Sequence, residues 1–139
     1  MGNFLKNLKF IPKPPTALGF ILLLLAVFTL FQGRKYDAFK IKNIDTLFPG
    51  FYSHISNFAI SYLIFAGIGY FWLMAGVPFK FIIALGIVLV ICNFSYELFI
   101  NILNTTDIID AYYGLAGTIV AYLFLHISYK YGFKSNTPQ

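Results

Sequence analysis

The chain has 139 residues, of which 59% are hydrophobic, 20% aromatic and only 11% charged. Because soluble domains carry about 25% charged residues, this composition excludes a soluble protein and predicts a single membrane domain over residues 1–139. The net charge of +5 is, in a membrane protein, a signal for orientation and for contact with anionic lipids. No basic patch has the pattern of a single-strand binder, so nucleic acid is excluded as a partner.

Four apolar segments predict an all-α membrane protein, with four transmembrane helices in a compact antiparallel bundle. A helix needs roughly 20 apolar residues to cross a bilayer, and these segments are close to that length. The connections at 76–78 and 104–107 are so short that the helices they join should be antiparallel neighbours. The predicted spans cover residues 16–32, 55–75, 79–103 and 108–129.

The polar segments lie between and after these spans. Residues 33–53 form a loop in which Lys40 and Lys42 are mixed with aromatic residues, a composition typical of the membrane interface. The Pro-Gly pair at 49–50 predicts a turn before the second span. The tail over residues 135–139 is predicted to be disordered.

This arrangement of spans has two sides. Both termini and the 76–80 turn lie on one side, and the 33–53 loop and the 104–107 turn lie on the other. Six lysines lie on the first side, whereas four Lys and Arg residues lie on the second. Since positive charge is enriched on the cytoplasmic side of membrane proteins, the termini are predicted to be cytoplasmic.

Acidic and amide residues gather around the connection between the third and fourth spans. Glu97 and Asn101 lie one turn apart on the same helical face, and Asp107 and Asp110 share a face at the start of the fourth span. Three of the chain's five acidic residues thus lie within fourteen positions. A carboxylate near the centre of a membrane helix costs roughly 2.5–3.5 kcal/mol, so it needs a partner or a function.

The start of the second span, the end of the third and the start of the fourth face the same side in this topology. His54 and Asn57 of the second span can therefore meet the acidic and amide residues, and the loop lysines can cover them. We predict a polar pocket that opens to the outer face and binds a ligand through Glu97, Asp110, Asp107, Asn101, Asn57, His54, Lys40 and Lys42.

These residues also have structural interpretations. Glu97 can form an interhelical hydrogen bond to a polar residue of the second span and simply hold the bundle together. Asp107 can serve as the N-cap of the fourth span, and Asp110 can complement its dipole. The asparagines can join helices, His54 can be an interfacial residue, and the lysines can be attracted to lipid headgroups.

Several kinds of chemistry are excluded. The two histidines, His54 and His126, should lie at opposite ends of the bundle, so no His-rich metal site is available. A cation site without a motif is conceivable at Glu97, Asp107, Asp110 and His54. No Walker A, GxGxxG or HExxH motif occurs. We therefore predict neither a metal nor a cofactor and assign no catalytic residue, and whether the protein is an enzyme stays open.

The layout of one anchor span, a polar loop and three closely linked spans resembles the VanZ-like membrane proteins of bacteria. That family has an acidic residue late in the third span and an Arg…Asp-x-x-x-Asn-x-x-Gly signature entering the fourth. Glu97 matches the acid, Asp110 the Asp and Gly117 the Gly, whereas Asn104 and Gly114 stand at the positions of the Arg and the Asn. The resemblance covers about residues 51–125. It implies a bacterial cytoplasmic (inner) membrane and a role in the cell envelope, such as low-level glycopeptide resistance.

These observations lead to three hypotheses. The first is a VanZ-like protein whose pocket binds an envelope lipid headgroup or another polar ligand, with membrane lipids as partners. The second is a small accessory subunit whose polar groups only hold its helices together and whose glycine faces dock on a larger membrane-protein partner. The third is a proton- or cation-coupled transporter. Because four spans contain no inverted repeat, this hypothesis is disfavoured unless the protein forms a homo-oligomer.

Overall fold

The computed structural model describes residues 8–99 and 107–136. Within this part of the chain, four helices are long and apolar enough to cross a membrane. We number them α1 (Pro14–Gln32), α2 (Phe51–Ala75), α3 (Phe79–Phe99) and α4 (Ile108–Ile127), and the last continues as a π-helical turn over Ser128–Gly132. By the length and composition of these helices, the chain is a multi-pass membrane protein.

Glycine and proline set the ends of these helices. Gly50 and Gly76 have φ angles of 77° and 78°, the left-handed conformation that glycine adopts without strain. They lie immediately before and after α2. This helix begins at Phe51, one turn before the predicted start at residue 55, because the backbone turns at Gly50 and not at the polar residues that follow it. The turn predicted at 49–50 is therefore confirmed. α1 begins at Pro14, whose fixed φ suits the first turn of a helix.

The loop between α1 and α2 is fastened to the start of α2. It contains two short helical segments, Asp37–Phe39 and Ile44–Leu47. The Ile41 backbone N–H donates to the Tyr52 hydroxyl at 2.8 Å, and the Arg34 guanidinium donates to the Ser56 hydroxyl. The basic loop therefore lies at the same end of the bundle as the start of α2.

α2 is the central helix of the bundle and packs against the other three. Its backbone comes very close to α4 at Gly117, where a methyl group would overlap the backbone of Phe58. Further along both helices, Leu125 lies against Gly69, so the contacts advance in the same chain direction on α2 and α4. The starts of these two helices therefore lie together. The buried core consists of Val27, Ala59, Tyr62, Phe65, Ala66, Tyr70, Leu73, Ile82, Ala121 and Leu125.

A small antiparallel sheet joins the two ends of the described chain. β1 (Phe10–Pro12) pairs with β2 (Phe133–Ser135). The Asn136 backbone N–H extends the pairing by donating to the Lys9 carbonyl at 3.0 Å. Its side-chain amide donates to the Leu8 carbonyl at 2.9 Å, across 128 positions of sequence. The prediction of a disordered tail is therefore wrong for Ser135 and Asn136. Strands of three residues are too short to show the alternation by which a strand is recognised in a sequence.

Candidate functional site

His54, Asp107 and Asp110 meet where the starts of α2 and α4 lie side by side. His54 Nδ1 is 2.8 Å from Asp110 Oδ1 and 3.7 Å from Asp107 Oδ2. Since a carboxylate only accepts hydrogen bonds, the imidazole N–H donates to Asp110. The three side chains are 17%, 35% and 15% exposed, in the order named, so a ligand can reach them from outside the bundle.

The local structure of α4 positions the two aspartates. Asp107 is the N-cap of α4, and its carboxylate accepts a hydrogen bond from the Ile109 backbone N–H at 2.9 Å. The predicted capping role is therefore confirmed. Asp110 follows three residues later and so lies above nearly the same face of the helix. Both carboxylates are thus directed to the side on which α2 presents His54.

Glu97, near the end of α3, is buried next to these residues, with 5% of its surface exposed. The Asn57 amide donates to its carboxylate at 3.4 Å, which is long for a hydrogen bond. Asp107 and Asp110 lie close enough to act on it electrostatically. Three helices thus contribute to one group of side chains, which we call the acidic cluster: His54, Asn57, Glu97, Asp107 and Asp110.

A second polar contact between α2 and α3 lies one turn further into the bundle. The Asn93 amide donates to the Ser61 hydroxyl at 2.8 Å. Gly114 of α4 faces this contact, since a side chain there would meet Asn93 Nδ2 at 2.7 Å and Ser61 Oγ at 3.1 Å. The amide of Asn93 therefore fills the space that glycine leaves, and it joins two helices by a short hydrogen bond.

The predicted pocket also includes Lys40, Lys42 and Asn101. Lys40 Nζ lies 2.8 Å from Asp37 Oδ1, and this hydrogen bond and its charge hold the pKa of Asp37 below its ordinary value. Lys42 is exposed in the same loop. That the lysines cover the acidic cluster therefore stays a prediction. Asn101 lies outside the described residues.

An aromatic groove that was not predicted from the sequence adjoins the acidic cluster. The Tyr113 ring centroid lies 5.4 Å from that of His54 and 5.9 Å from that of Phe51. The signal in the sequence is the spacing of Phe51 and Phe58, two turns apart on α2, together with the tyrosine pair that follows Asp110. The groove has a volume of about 360 Å³ and is lined by Phe48, Phe51, Phe58, Tyr112, Tyr113 and Ala116.

The donor atoms of the acidic cluster define what it could hold. One ligand atom from each of His54, Asp107 and Asp110 lies within 4.8 Å of the other two, a nitrogen and oxygen set that divalent metal ions use. His126 lies elsewhere and packs against Phe79, at the start of α3. The prediction that the protein binds no metal stays a prediction. Three carboxylates with one imidazole also give an excess of negative charge, which suits an ammonium group.

Comparison of the chain with models of protein families, with curated proteins and with solved structures gives no match.

Proposed function

We propose that this chain is a VanZ-like protein of the bacterial cytoplasmic membrane whose acidic cluster binds, from the outer face, the headgroup of an envelope lipid or another polar ligand. The observation that carries this proposal is the convergence of three carboxylates of α3 and α4 on one imidazole and one amide of α2. The proposed architecture is an antiparallel bundle with cytoplasmic termini. The six lysines on the side of the termini, against four basic residues on the other, support that orientation.

The balance of donors and acceptors favours a binding site over a purely structural contact. A contact that only joins helices needs one donor for each acceptor, as the amide–hydroxyl contact between α2 and α3 has. In the acidic cluster, Asp107 accepts from the Ile109 backbone N–H and shares His54 with Asp110, whereas Glu97 has only a long hydrogen bond from a side chain, that of Asn57, among the described residues. Carboxylates with so few donors are costly in a membrane, and such groups usually serve a ligand.

The positions of three signature residues support the family assignment. Glu97 and Asp110, which match the acid and the Asp of the VanZ-like signature, both belong to the acidic cluster. Gly117, which matches its Gly, lies where α4 comes close to the backbone of α2. At the position of the signature's Asn, Gly114 faces the Asn93 amide. An amide from α3 thus stands near the point where the family has an amide on the fourth span.

An accessory subunit is the second candidate function, and the exposure of α1 favours it. Val27 is the buried residue of this helix, whose apolar side chains are otherwise half-exposed or exposed. Lipid tails cover such a face as well as a protein does, so exposure alone does not require a partner. Co-purification of a larger membrane protein in a fixed ratio would support this candidate.

Lipid retention by the full-length protein tests the first proposal. Glu97→Gln keeps the shape of the side chain and removes its charge, so we expect it to lower the amount of lipid that native mass spectrometry detects on the protein released from nanodiscs. The expected decrease is roughly tenfold, because contacts to a charged group contribute about 1.5–3 kcal/mol. Asp37→Asn, which neutralises an exposed acid of the loop, is the matched control. Equal retention by folded Glu97→Gln and wild type would contradict the binding proposal and favour a structural role.

A further inference from the structure

The aromatic groove and the acidic cluster share a wall. Tyr113 lies between His54 and Phe51, with ring centroids at 5.4 and 5.9 Å. Asp110 is the hydrogen-bond partner of the same histidine at 2.8 Å. The groove of about 360 Å³ falls within the range of small-molecule sites, about 300–1,000 Å³. A ligand in the groove would therefore contact aromatic rings, one of which packs against the histidine that donates to Asp110.

This combination of groups recognises a positively charged nitrogen. The faces of aromatic rings are the negative part of their quadrupole, and they attract ammonium groups, including quaternary ones. Carboxylates add charge-assisted hydrogen bonds where the ammonium is primary. An anionic headgroup is disfavoured, because the like charges of the cluster would repel it.

We propose that the aromatic groove and the acidic cluster together bind the ammonium end of a zwitterionic phospholipid. This inference rests on the proposed function and names its ligand class. The ammonium group belongs to a lipid, and not to a soluble amine, because Phe58 and Ala116 extend the groove two turns into the spans, where acyl chains lie. Arg34, which donates to Ser56 near the start of α2, adds positive charge at this end of the bundle for the phosphate.

Competition among lipids tests this inference. The full-length protein is placed in nanodiscs with equal amounts of phosphatidylethanolamine, phosphatidylcholine and phosphatidylglycerol, and native mass spectrometry identifies the lipid that stays bound. We expect the two zwitterionic lipids to be retained over phosphatidylglycerol. Tyr113→Leu should reduce this preference roughly tenfold, the range of a desolvated contact between a cation and a ring. Asp110→Asn should reduce it by a similar factor, because it removes a negative charge that attracts the ammonium group.

Matched variants test whether the aromatic ring of Tyr113 itself causes the lipid preference. Tyr113→Phe keeps the ring and should keep the preference. Tyr131→Leu, at a tyrosine that is 70% exposed beyond the far end of α4, and Asp37→Asn, in the loop, should leave it unchanged. Phe51→Leu removes a second ring of the same wall and should repeat the effect of Tyr113→Leu, so the test stands if one of the two variants fails to fold.

Several results would overturn the inference. One is equal or stronger retention of phosphatidylglycerol by the wild type. Another is a preference that survives both ring substitutions in proteins that elute as a single species. If soluble choline or ethanolamine displaced the lipid, the site would bind a soluble amine, and the assignment of the ammonium group to a lipid would be overturned. If phosphatidylglycerol is retained and is lost in Glu97→Gln, the proposed function stands and this inference fails. If no lipid responds to Glu97→Gln or Asp110→Asn, both fail.

Discussion

The contact between α2 and α4 depends on the absence of a side chain at residue 117. A methyl carbon at Gly117 would lie 3.0 Å from the carbonyl carbon of Phe58 and 3.1 Å from its Cα, and closer still to its carbonyl oxygen. These are backbone atoms of a helix, which cannot rotate away as the end of a side chain can. Gly117→Ala therefore requires the two helices to separate at this contact.

The separation should reach the acidic cluster, which lies about two turns away. The 2.8 Å contact between His54 and Asp110 would exceed the usual limit of about 3.2 Å after a displacement of about 0.5 Å. Overpacking costs about 1–3 kcal/mol, and loss of a hydrogen bond to a charged group costs about 1.5–3 kcal/mol. The better helix propensity of alanine offsets about 1 kcal/mol. We expect Gly117→Ala to lower the free energy of unfolding by about 1.5–5 kcal/mol.

Gly67→Ala is the matched control on α2, because no described atom lies within 4 Å of a methyl group added there. This variant should be neutral or more stable than the wild type by up to about 1 kcal/mol. Reversible unfolding in mixed detergent micelles measures both variants. Equal stability of Gly117→Ala and Gly67→Ala would refute the reasoning that close backbone approach holds α2 against α4. Unchanged lipid retention by a destabilised Gly117→Ala would refute the link between this contact and the acidic cluster.

Two further predictions concern contacts outside the acidic cluster. A double-mutant cycle of Ser61→Ala and Asn93→Ala should give a coupling of about 0.6 kcal/mol and no more than about 1.7 kcal/mol, the range of interhelical hydrogen bonds in membranes; zero coupling would contradict the 2.8 Å contact. Ile11→Cys combined with Lys134→Cys, with Cys92→Ser to remove the native thiol, should cross-link on oxidation because the two residues face each other across the terminal sheet. Two thiols that stay free under oxidising conditions would show that the strands do not pair.

The helices and their ends follow from local sequence. Apolar runs of about twenty residues are helical in a membrane because each backbone group must find its partner within the segment. Gly50, Gly76 and the Asp107 N-cap act on the residues next to them, so each can be assigned from its own segment. Short turns then leave little choice of topology. The sequence could therefore predict that His54 and Glu97 lie at the same end of the bundle.

Which side chains touch at that end was decided only by tertiary structure. α2 and α3 are apolar on nearly all sides, so their sequences carry no periodic signal for the face that meets a neighbour. The close approach at Gly117 sets how α2 lies against α4, and with it the contact of His54 with Asp110 across 56 positions of sequence. The same packing brings Tyr113 beside Phe51 and so forms the aromatic groove. Composition and local propensity place residues along a helix, whereas backbone packing between distant segments sets the rotation that makes them neighbours.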